Sequence, residues 1–464
     1  MRKGYNKREK HQVSAGIGSN RNNKKSGVVY MIKHSSCLVS AFLILSLVLS
    51  GCVSNTKARQ TDPVIQPEQE TVTLRFINSW GGSDSKSETL KQLFEQFETE
   101  NPDIQIVNES LFGEDFLVKL KADFASGNDP DVFGLWPGSD IRSLVAAGKV
   151  ADITDDLTKD PDWKESFHDN MWDHTTFGGR IYGLPVELIF EALFINVDLF
   201  EAYGLDPPAN FDELKNVVTV FRDNGIVPIA FNCKSEGTYI YQNMAMMLGG
   251  RKIIENPIEN SSINKCYLDA LYLMKELYDL GAFPEDMFTM TSVERNDLFI
   301  SKKAAMIVQG SWFVGEFKDV KTVDLVPFPE LSENRNAYTS MIYGLGCGTF
   351  YMSKKASLNA TKKEASIKLL RHLTSRETAT LLAEKTGMLS NVRINRYDID
   401  YNRLERKAIY YVDTAKELVG PPDSYLPRNA WENVIVKNLP YVLEGKMEPE
   451  ALWMEAAMEW QSGK

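Results

Sequence analysis

The chain has 464 residues, of which 43% are hydrophobic and 11% aromatic, so it can fill more than one hydrophobic core. Its 63 Asp and Glu outnumber 52 Lys and Arg, and because residues 1–51 hold nine of the basic residues and one acid, the remaining chain has a formal charge of −19. A surface of this charge repels phosphate backbones and anionic lipid, which argues against nucleic acid as a partner.

An uncharged, largely apolar run over residues 38–49 follows Lys33 and ends in Leu49-Ser50-Gly51-Cys52. This order is typical of a secretory signal, and the run is shorter than the roughly 20 residues that cross a membrane. Its last four residues resemble the bacterial lipoprotein signal, which implies that Cys52 is lipidated and becomes the mature N-terminus. The protein is then expected at the extracellular face of the cell membrane. An uncleaved signal anchor is the alternative, and Met31 is an alternative start.

Residues 52–70 are polar and show no apolar period, which is typical of a linker. After them, alternation of apolar residues predicts strands, and helical spacing of apolar residues predicts helices. The predicted strands are 71–77, 104–107 and 131–136, and the predicted helices between them are 87–100 and 116–125. Alternating strands and helices indicate a parallel α/β sheet. Ligands of such sheets bind beyond the carboxyl ends of the strands, where Trp80 and Trp136 lie.

A second α/β unit follows in the chain. It is indicated by strands at 192–196 and 226–230 with a helix at 211–224 between them. Longer helices are predicted at 263–280, 364–373, 376–386 and 448–460. The sequence therefore predicts two α/β domains.

Twelve short segments, including Tyr-Gly-Leu-Pro at 182–185 and Gly-Ser-Trp at 310–312, occur in a particular order. They cover residues 94–97, 101–107, 125–127, 129–132, 179–185, 195–200, 204–205, 208–214, 303–307, 310–312, 443–445 and 448–451. In this order and spacing they resemble the extracellular solute-binding proteins of ABC sugar importers, of the maltose-binding type. The resemblance covers most of the chain after Cys52.

The resemblance implies an α/β fold with two lobes, the type II periplasmic-binding-protein-like fold, whose ligand cleft lies between lobes joined by crossing segments. The implied domains are 1–51 as N-terminal extension and signal, 52–70 as linker, 71–186 plus 328–352 as the first lobe, and 187–327 plus 353–464 as the second. Crossings are expected near 186–191, 324–328 and 351–355. The implied partners are a carbohydrate ligand and ABC permease subunits, with a monomeric protein, no cofactor, and membrane contact only through the lipid.

A sugar site needs flat aromatic rings beside fixed hydrogen-bonding groups. Trp80, Trp136 and Trp312 follow predicted strands or lie in turns and are the main candidates for stacking, with core packing as the alternative. Tyr239 lies in a polar loop and Tyr343 lies beside a glycine, and both are weaker candidates.

Glu187 follows the turn at 182–185, where the first crossing would place it in the cleft. Its carboxylate could accept sugar hydroxyls, or it could be a solvated charge at a hinge. Asp84, Glu114 and Arg428 are further candidates for which a surface position is favoured.

Enzyme motifs are absent from the sequence: it has no Gly-x-Ser-x-Gly and no Gly-x-x-x-x-Gly-Lys-Ser/Thr. Paired acids such as Glu187 and Glu191 leave a secreted carbohydrate-active enzyme as one alternative function. A surface sugar receptor that feeds a sensor system is the other. His168 and His174 lack the spacing of a metal site, and no disulfide is predicted. The sequence therefore favours a binding protein without metal or catalysis.

Overall fold

The structure is a computed structural model, and it describes residues 71–317, 321–331, 340–415 and 417–462. The predicted signal at 1–51, the predicted lipidation site Cys52 and the predicted linker at 52–70 lie outside the described residues. None of the helices in the described ranges has both the length and the apolar character needed to span a membrane.

Several of the described strands have only two residues, and one strand has ten. They are β1 Val72–Ile77, β2 Ile104–Asn108, β3 Val132–Gly134, β4 Thr176–Phe177, β5 Arg180–Ile181, β6 Gly183–Pro185, β7 Glu187–Asn196, β8 Val227–Ile229, β9 Ile258–Glu259, β10 Ser262–Ile263, β11 Ala304–Gly310, β12 Val323–Val326, β13 Ser340–Leu345, β14 Thr349–Met352, β15 Leu389–Ser390 and β16 Glu417–Val419.

The described α-helices range from one turn to four. They are α1 Ser87–Glu100, α2 Gly113–Ser126, α3 Ser139–Ala146, α4 Thr154–Lys159, α5 Pro161–Glu165, α6 Val197–Tyr203, α7 Phe211–Asp223, α8 Tyr239–Ile254, α9 Lys265–Asp279, α10 Ser292–Ile300, α11 Lys354–Ser357, α12 Ala360–Leu373, α13 Arg376–Thr386, α14 Arg403–Thr414, α15 Lys437–Leu443 and α16 Pro449–Ser462. Short 3₁₀-helices at Ser235–Thr238, Ser311–Glu316 and Pro422–Tyr425, and a π-helix at Asn429–Val436, border the site described below.

The first sheet has five strands in the order β2-β1-β3-β14-β6. Strands β1, β2 and β3 are parallel, whereas β14 pairs antiparallel with β3 and β6. Helix α12 packs against β1, and leucines of α1, α12 and α13 share one buried cluster with Leu74 and Phe76 of β1. We call this sheet with its helices the first lobe.

The second sheet is built around β7, the ten-residue strand. Its order is β16-β13-β7-β11-β8, and β12 and β15 also pair with β7. The first half of β7 pairs with β13 and β15, and the second half pairs with β11 and β12. Helices α8 and α9 contribute most of their apolar residues to a cluster that also contains Leu193 and Ile195 of β7. We call this sheet with its helices the second lobe.

The chain crosses between the sheets three times. Residue 186 joins β6 to β7, residues 346–348 join β13 to β14, and the last crossing runs from α13 to α14 through β15. The crossings are hydrogen-bonded to one another: the N–H groups of Val186 and Glu187 both donate to the Gly348 carbonyl at 3.1 Å, and the Asn391 N–H donates to the Val186 carbonyl at 2.7 Å. The three crossings thus form one bonded layer between the lobes.

Two stretches differ from the predicted division into lobes. Strand β13 falls in the segment 328–352 that was assigned to the first lobe, yet it pairs with β7 in the second sheet. Helices α12 and α13 fall in the segment 353–464 that was assigned to the second lobe, yet they pack on the first. The first crossing lies at residue 186, within the expected 186–191. The other two lie at 346–348 and after α13, and not near 324–328 and 351–355. The lobe to which a strand or helix belongs depends on the distant elements with which it pairs or packs. A local sequence pattern does not identify those partners.

Candidate functional site

A cavity of about 630 Å³ lies beside the crossings, and residues of both lobes line it. The first lobe contributes the loops that follow β1 and β3 together with one face of α2. The second lobe contributes β7 and the segments after β8, β11 and β16. A cavity of this size is typical of small-molecule binding sites, and its position matches the ligand edge of the first sheet.

Trp80 follows β1 and lines the cavity, but it is only 1% exposed. Its indole meets the Phe350 ring edge to face, with centroids 5.6 Å apart, and the Lys86 Nζ lies 5.5 Å from its centroid. Trp80 belongs to the buried cluster of the first lobe. Its larger contribution is therefore to the core.

Trp136 follows β3, and its ring is partly exposed in the cavity. Phe116 of α2 meets it edge to face at 5.8 Å. The Arg428 guanidinium of the second lobe lies 5.8 Å from its centroid, and the Arg428 Nε lies 3.4 Å from Asp140 of the first lobe. Arg428 therefore connects the two lobes beside the Trp136 ring.

Tyr239 and Trp312 form an aromatic pair on the second lobe. Their ring centroids lie 5.8 Å apart at an interplanar angle of 70°, and both side chains are partly exposed and line the cavity. The Trp312 indole lies against the Cα of Gly310, where a Cβ would occupy the same space as the ring. This glycine lets the indole fold back beside the end of β11.

Glu187 is 4% exposed, and two groups hold its carboxylate. Its Oε2 accepts a hydrogen bond from the Gly348 N–H at 2.9 Å, and its Oε1 lies 3.5 Å from the Lys86 Nζ. The same ammonium lies 3.3 Å from Asp84 Oδ1. Burial opposes the charge of Lys86, but Asp84 and Glu187 raise its pKa above the ordinary value. Glu187 is therefore a buried anion of the hinge layer that also borders the cavity.

Glu191 lies four residues after Glu187 on β7, so both side chains and Ile189 between them project from the same face of the strand into the cavity. The Asn243 Nδ2 donates a hydrogen bond to Glu191 Oε2 at 2.7 Å. Burial raises the pKa of Glu191 well above its usual range, and the charge of Asp423 adds to this shift. Asp423, from the 3₁₀-helix after β16, lines the same cavity.

Asp423→Asn is expected to stabilise the ligand-free protein at high pH. Burial raises the pKa of Asp423 to about 6; Arg428 opposes this shift, and Glu432 and Asp140 add to it. A carboxyl whose pKa is higher in the folded protein binds more protons there, so its contribution to stability falls as the pH rises from about 4 to above 6. The ionised group then lowers the free energy of unfolding by up to about 3 kcal/mol.

Thermal unfolding of the D423N variant and of the wild type would measure this difference. The variant should melt higher at a pH of about 8 and equally at a pH of about 4. Glu201→Gln, at an exposed position on α6, is the matched control and should melt like the wild type at both. Equal melting of D423N and the wild type at both pH values would contradict the burial argument.

Tyr343 does not line the cavity, which corrects its prediction as a ligand-binding residue. It lies in the middle of β13, is 8% exposed and belongs to a buried cluster with Met341 and Leu345. Gly344 projects to the other face of the strand, where a Cβ would lie 2.8 Å from Pro421 Cδ. Side-chain alternation along β13 therefore turns Tyr343 into the core.

Of the other predicted residues, Trp80, Trp136, Glu187, Tyr239 and Trp312 are brought together around the cavity. Asp84 and Arg428, for which a surface position was favoured, also line it. The side chain of Glu114 lies outside the described part of the structure. These side chains therefore line the cavity, and binding experiments will determine which of them contact a ligand.

Sequence reasoning missed Lys86, Asp423 and Glu432, and it weighed Glu191 only as a catalytic acid, although all four line the cavity. The two acids of β7 can be recognised in the sequence, because they stand four residues apart among apolar residues that continue to Ile195, and this spacing puts both on one face of the strand. The other three come from segments without a period or motif.

Metal and disulfide chemistry find no support in the described residues. They contain no group of three or more His, Cys, Asp or Glu side chains that could hold a metal ion. Cys233, Cys266 and Cys347 form no disulfide bond. Burial raises the pKa of Cys233 and Cys347 to about 12, so both thiols stay protonated at neutral pH.

A family model described as "Bacterial extracellular solute-binding protein" matches residues 82–379. An uncharacterized ABC transporter extracellular-binding protein of Pyrococcus horikoshii is 25% identical over 343 residues, covering 71% of this chain and 74% of that protein. The maltodextrin-binding protein MdxE of Bacillus subtilis is 26% identical over 330 residues, covering 69% and 72%.

A solved structure shares the fold. The chitin oligosaccharide binding protein superposes on this chain with a TM-score of 0.74 at 20% identity, covering 84% of this chain and 98% of the other. The likeness confirms the predicted α/β fold with two lobes of type II.

Proposed function

Because this chain belongs to the family of bacterial extracellular solute-binding proteins, we propose that it captures a sugar or oligosaccharide and delivers it to the permease subunits of an ABC importer. The cavity of about 630 Å³, where partly exposed rings stand beside buried polar groups, is the observation that carries this proposal. Sugars offer apolar C–H faces to such rings and hydroxyls to such groups. Relatives named for maltodextrin and chitin oligosaccharide support the same class of ligand.

Capture would proceed by closure of the lobes over the ligand. The lobes already meet beside the cavity: a Cβ at Gly138 would lie 3.0 Å from the Ser424 carbonyl oxygen, and a Cβ at Gly315 would lie 2.7 Å from Ser85 Cβ. A ligand that contacts both lobes shifts the equilibrium toward the closed state by its extra contacts there. Trp136 on one side and Trp312 on the other would supply those contacts.

The surroundings of Glu187 favour binding over hydrolysis. A glycosidase needs two carboxyl groups that are free to face the scissile bond. The Glu187 carboxylate is already engaged by the Gly348 N–H and the Lys86 ammonium, so it is poorly placed as an acid or a nucleophile. Incubation with glycans should therefore give no hydrolysis products.

Thermal unfolding in the presence of a carbohydrate panel would test the proposed function. A ligand present at about 1,000 times its dissociation constant adds roughly 4 kcal/mol to the free energy of unfolding, so a true ligand should raise the melting temperature clearly. Calorimetric titration of the responding sugar then gives its affinity. Failure of every glycan, together with stabilisation by another class of solute, would refute sugar capture.

We further propose that the protein is anchored at the extracellular face of the membrane through lipid on Cys52 and works there as a monomer. The signal pattern at 38–52 supports the anchor, and a tether keeps the receptor near its permease. One acyl chain binds membranes only weakly, so the anchor should carry more than one. Mass spectrometry of protein from the native host should find a diacyl or triacyl Cys52 at the N-terminus, and Cys52→Ser should release the protein. An unmodified thiol would disprove the anchor.

A further inference from the structure

Six acidic side chains line the cavity, and a cation of the protein partners four of them. The partnered acids are Asp84 and Glu187 with Lys86 at 3.3 and 3.5 Å, Glu236 with Arg295 at 2.9 Å, and Glu432 with Arg428 at 3.3 Å. Glu191 and Asp423 form no ion pair with any basic residue in the described ranges. These two acids are therefore the ones in the cavity that have no ion-pair partner among the described residues.

Glu191 is the deeper of the two, with 3% of its surface exposed. Asn243 donates to its Oε2, whereas no donor among the described residues bonds to its Oε1. Asp423 is close enough that its charge disfavours ionisation of Glu191, and both acids disfavour ionisation of Tyr239. Burying an acid without a paired cation disfavours its ionised form, and a positive charge that enters between the two acids relieves this cost. At Asp423 the charge of Arg428 relieves it only in part. A positively charged group of a ligand would therefore meet two acids that have no ion-pair partner among the described residues.

We propose that the captured solute carries a protonated amine, which Glu191 and Asp423 bind together, so that the ligand class is an amino sugar or an oligosaccharide that contains one. This deepens the proposed function and rests on it. An ammonium group offers three donors to the two carboxylates, and such charge-assisted bonds are short and strong. The Tyr239 ring can add a cation–π contact, and Trp312 beside it can stack on the sugar face. A metal ion fits less well, because the described residues place no third His, Cys, Asp or Glu side chain beside these two acids.

Calorimetric titration with matched sugars would test this proposal on the purified full-length protein. Each set contains one amine and its neutral counterparts: glucosamine, glucose and N-acetylglucosamine; galactosamine, galactose and N-acetylgalactosamine; and β-1,4-linked trimers of glucosamine, glucose and N-acetylglucosamine. Spermidine serves as an amine without a sugar. The variants are Glu191→Gln and Asp423→Asn, with Glu201→Gln, at an exposed position on α6, as the control that removes an acid outside the cavity.

In at least one set the amine should bind 10-fold or more tightly than both neutral counterparts. Glu191→Gln and Asp423→Asn should each reduce that preference at least 10-fold, and Glu201→Gln should leave it unchanged. Neutral sugars that bind as tightly as the amines, or a preference that survives both substitutions, would overturn the proposal and leave sugar capture intact. Binding of spermidine with no binding of any sugar would overturn both.

Discussion

Replacing Trp312 by alanine is expected to weaken sugar binding by about 30- to 100-fold while leaving the fold intact. The indole is partly exposed in the cavity, lies beside the Tyr239 ring and rests on Gly310, so its removal opens space toward the ligand and not within the core. An aromatic anchor of this kind contributes about 2–3 kcal/mol to binding, and each 1.4 kcal/mol is a factor of ten in affinity. Calorimetric titration with the identified sugar measures the loss.

Trp80→Ala is the matched control for this prediction, since it removes the same side chain from the opposite lobe. Trp80 is 1% exposed and packs on Phe350, so its loss should lower the free energy of unfolding by about 3–5 kcal/mol. Trp312→Phe should keep most of the affinity because it keeps a ring. Unchanged affinity of W312A, with reduced stability, would assign Trp312 to the core and remove it from the site.

The sequence predicts those elements whose borders are set by local chemistry. Helices α1 and α13 begin and end at the predicted residues. Their apolar spacing and the residues at their ends are local features that can be recognised within one short segment of sequence. Strand β7 was predicted only over its second half, 192–196, because the two acids at its start break the apolar pattern. The chain tolerates these acids where the strand borders the cavity and the hinge.

Pairing over long distances is the part of the fold that the sequence does not contain. Nothing local in 340–345 distinguishes a strand of the first sheet from a strand of the second, since either sheet would bury the same apolar face. The prediction that α12 and α13 belong to the second lobe was wrong for the same reason. The pattern of an amphipathic helix shows that one face is buried, but it does not show which element covers that face.

The candidate site divides along the same line. Trp80, Trp136 and Trp312 were found because the ends of strands in α/β sheets are ligand edges, which is a rule of topology. Asp423 could not be found, since it reaches the cavity from a 3₁₀-helix more than 200 residues after Glu191 on β7. Nor could the sequence show that Trp80 is buried and Trp312 partly exposed, because exposure depends on which distant residues, such as Phe350 at Trp80, cover each ring.

Glu187→Ala is expected to lower the free energy of unfolding by about 3 kcal/mol. The substitution leaves the Gly348 N–H without its acceptor and leaves the buried Lys86 ammonium with Asp84 alone. Removing one member of a buried ion pair costs about 3–5 kcal/mol, and the remaining carboxylate moderates that loss. Glu187→Gln should fall between Ala and the wild type, because its amide oxygen can still accept from Gly348. Denaturant unfolding of the ligand-free protein measures both.

The pairing with Lys86 can be separated from a direct ligand contact by a double-mutant cycle. If Glu187 acts through Lys86, then Lys86→Met and Glu187→Gln should be non-additive, with a coupling of about 1–3 kcal/mol, since each single change leaves the other group buried with a weaker partner. The sugar affinity of each folded variant should then fall less than that of W312A. Wild-type stability of Glu187→Ala combined with a large loss of affinity would reverse this assignment, and Glu187 would be a ligand-binding residue and not part of the hinge. Both outcomes can be tested at this one residue because the Glu187 carboxylate lies between the Gly348 crossing and the cavity. Its buried contacts, to the Gly348 N–H and the Lys86 ammonium, favour the role in the hinge layer.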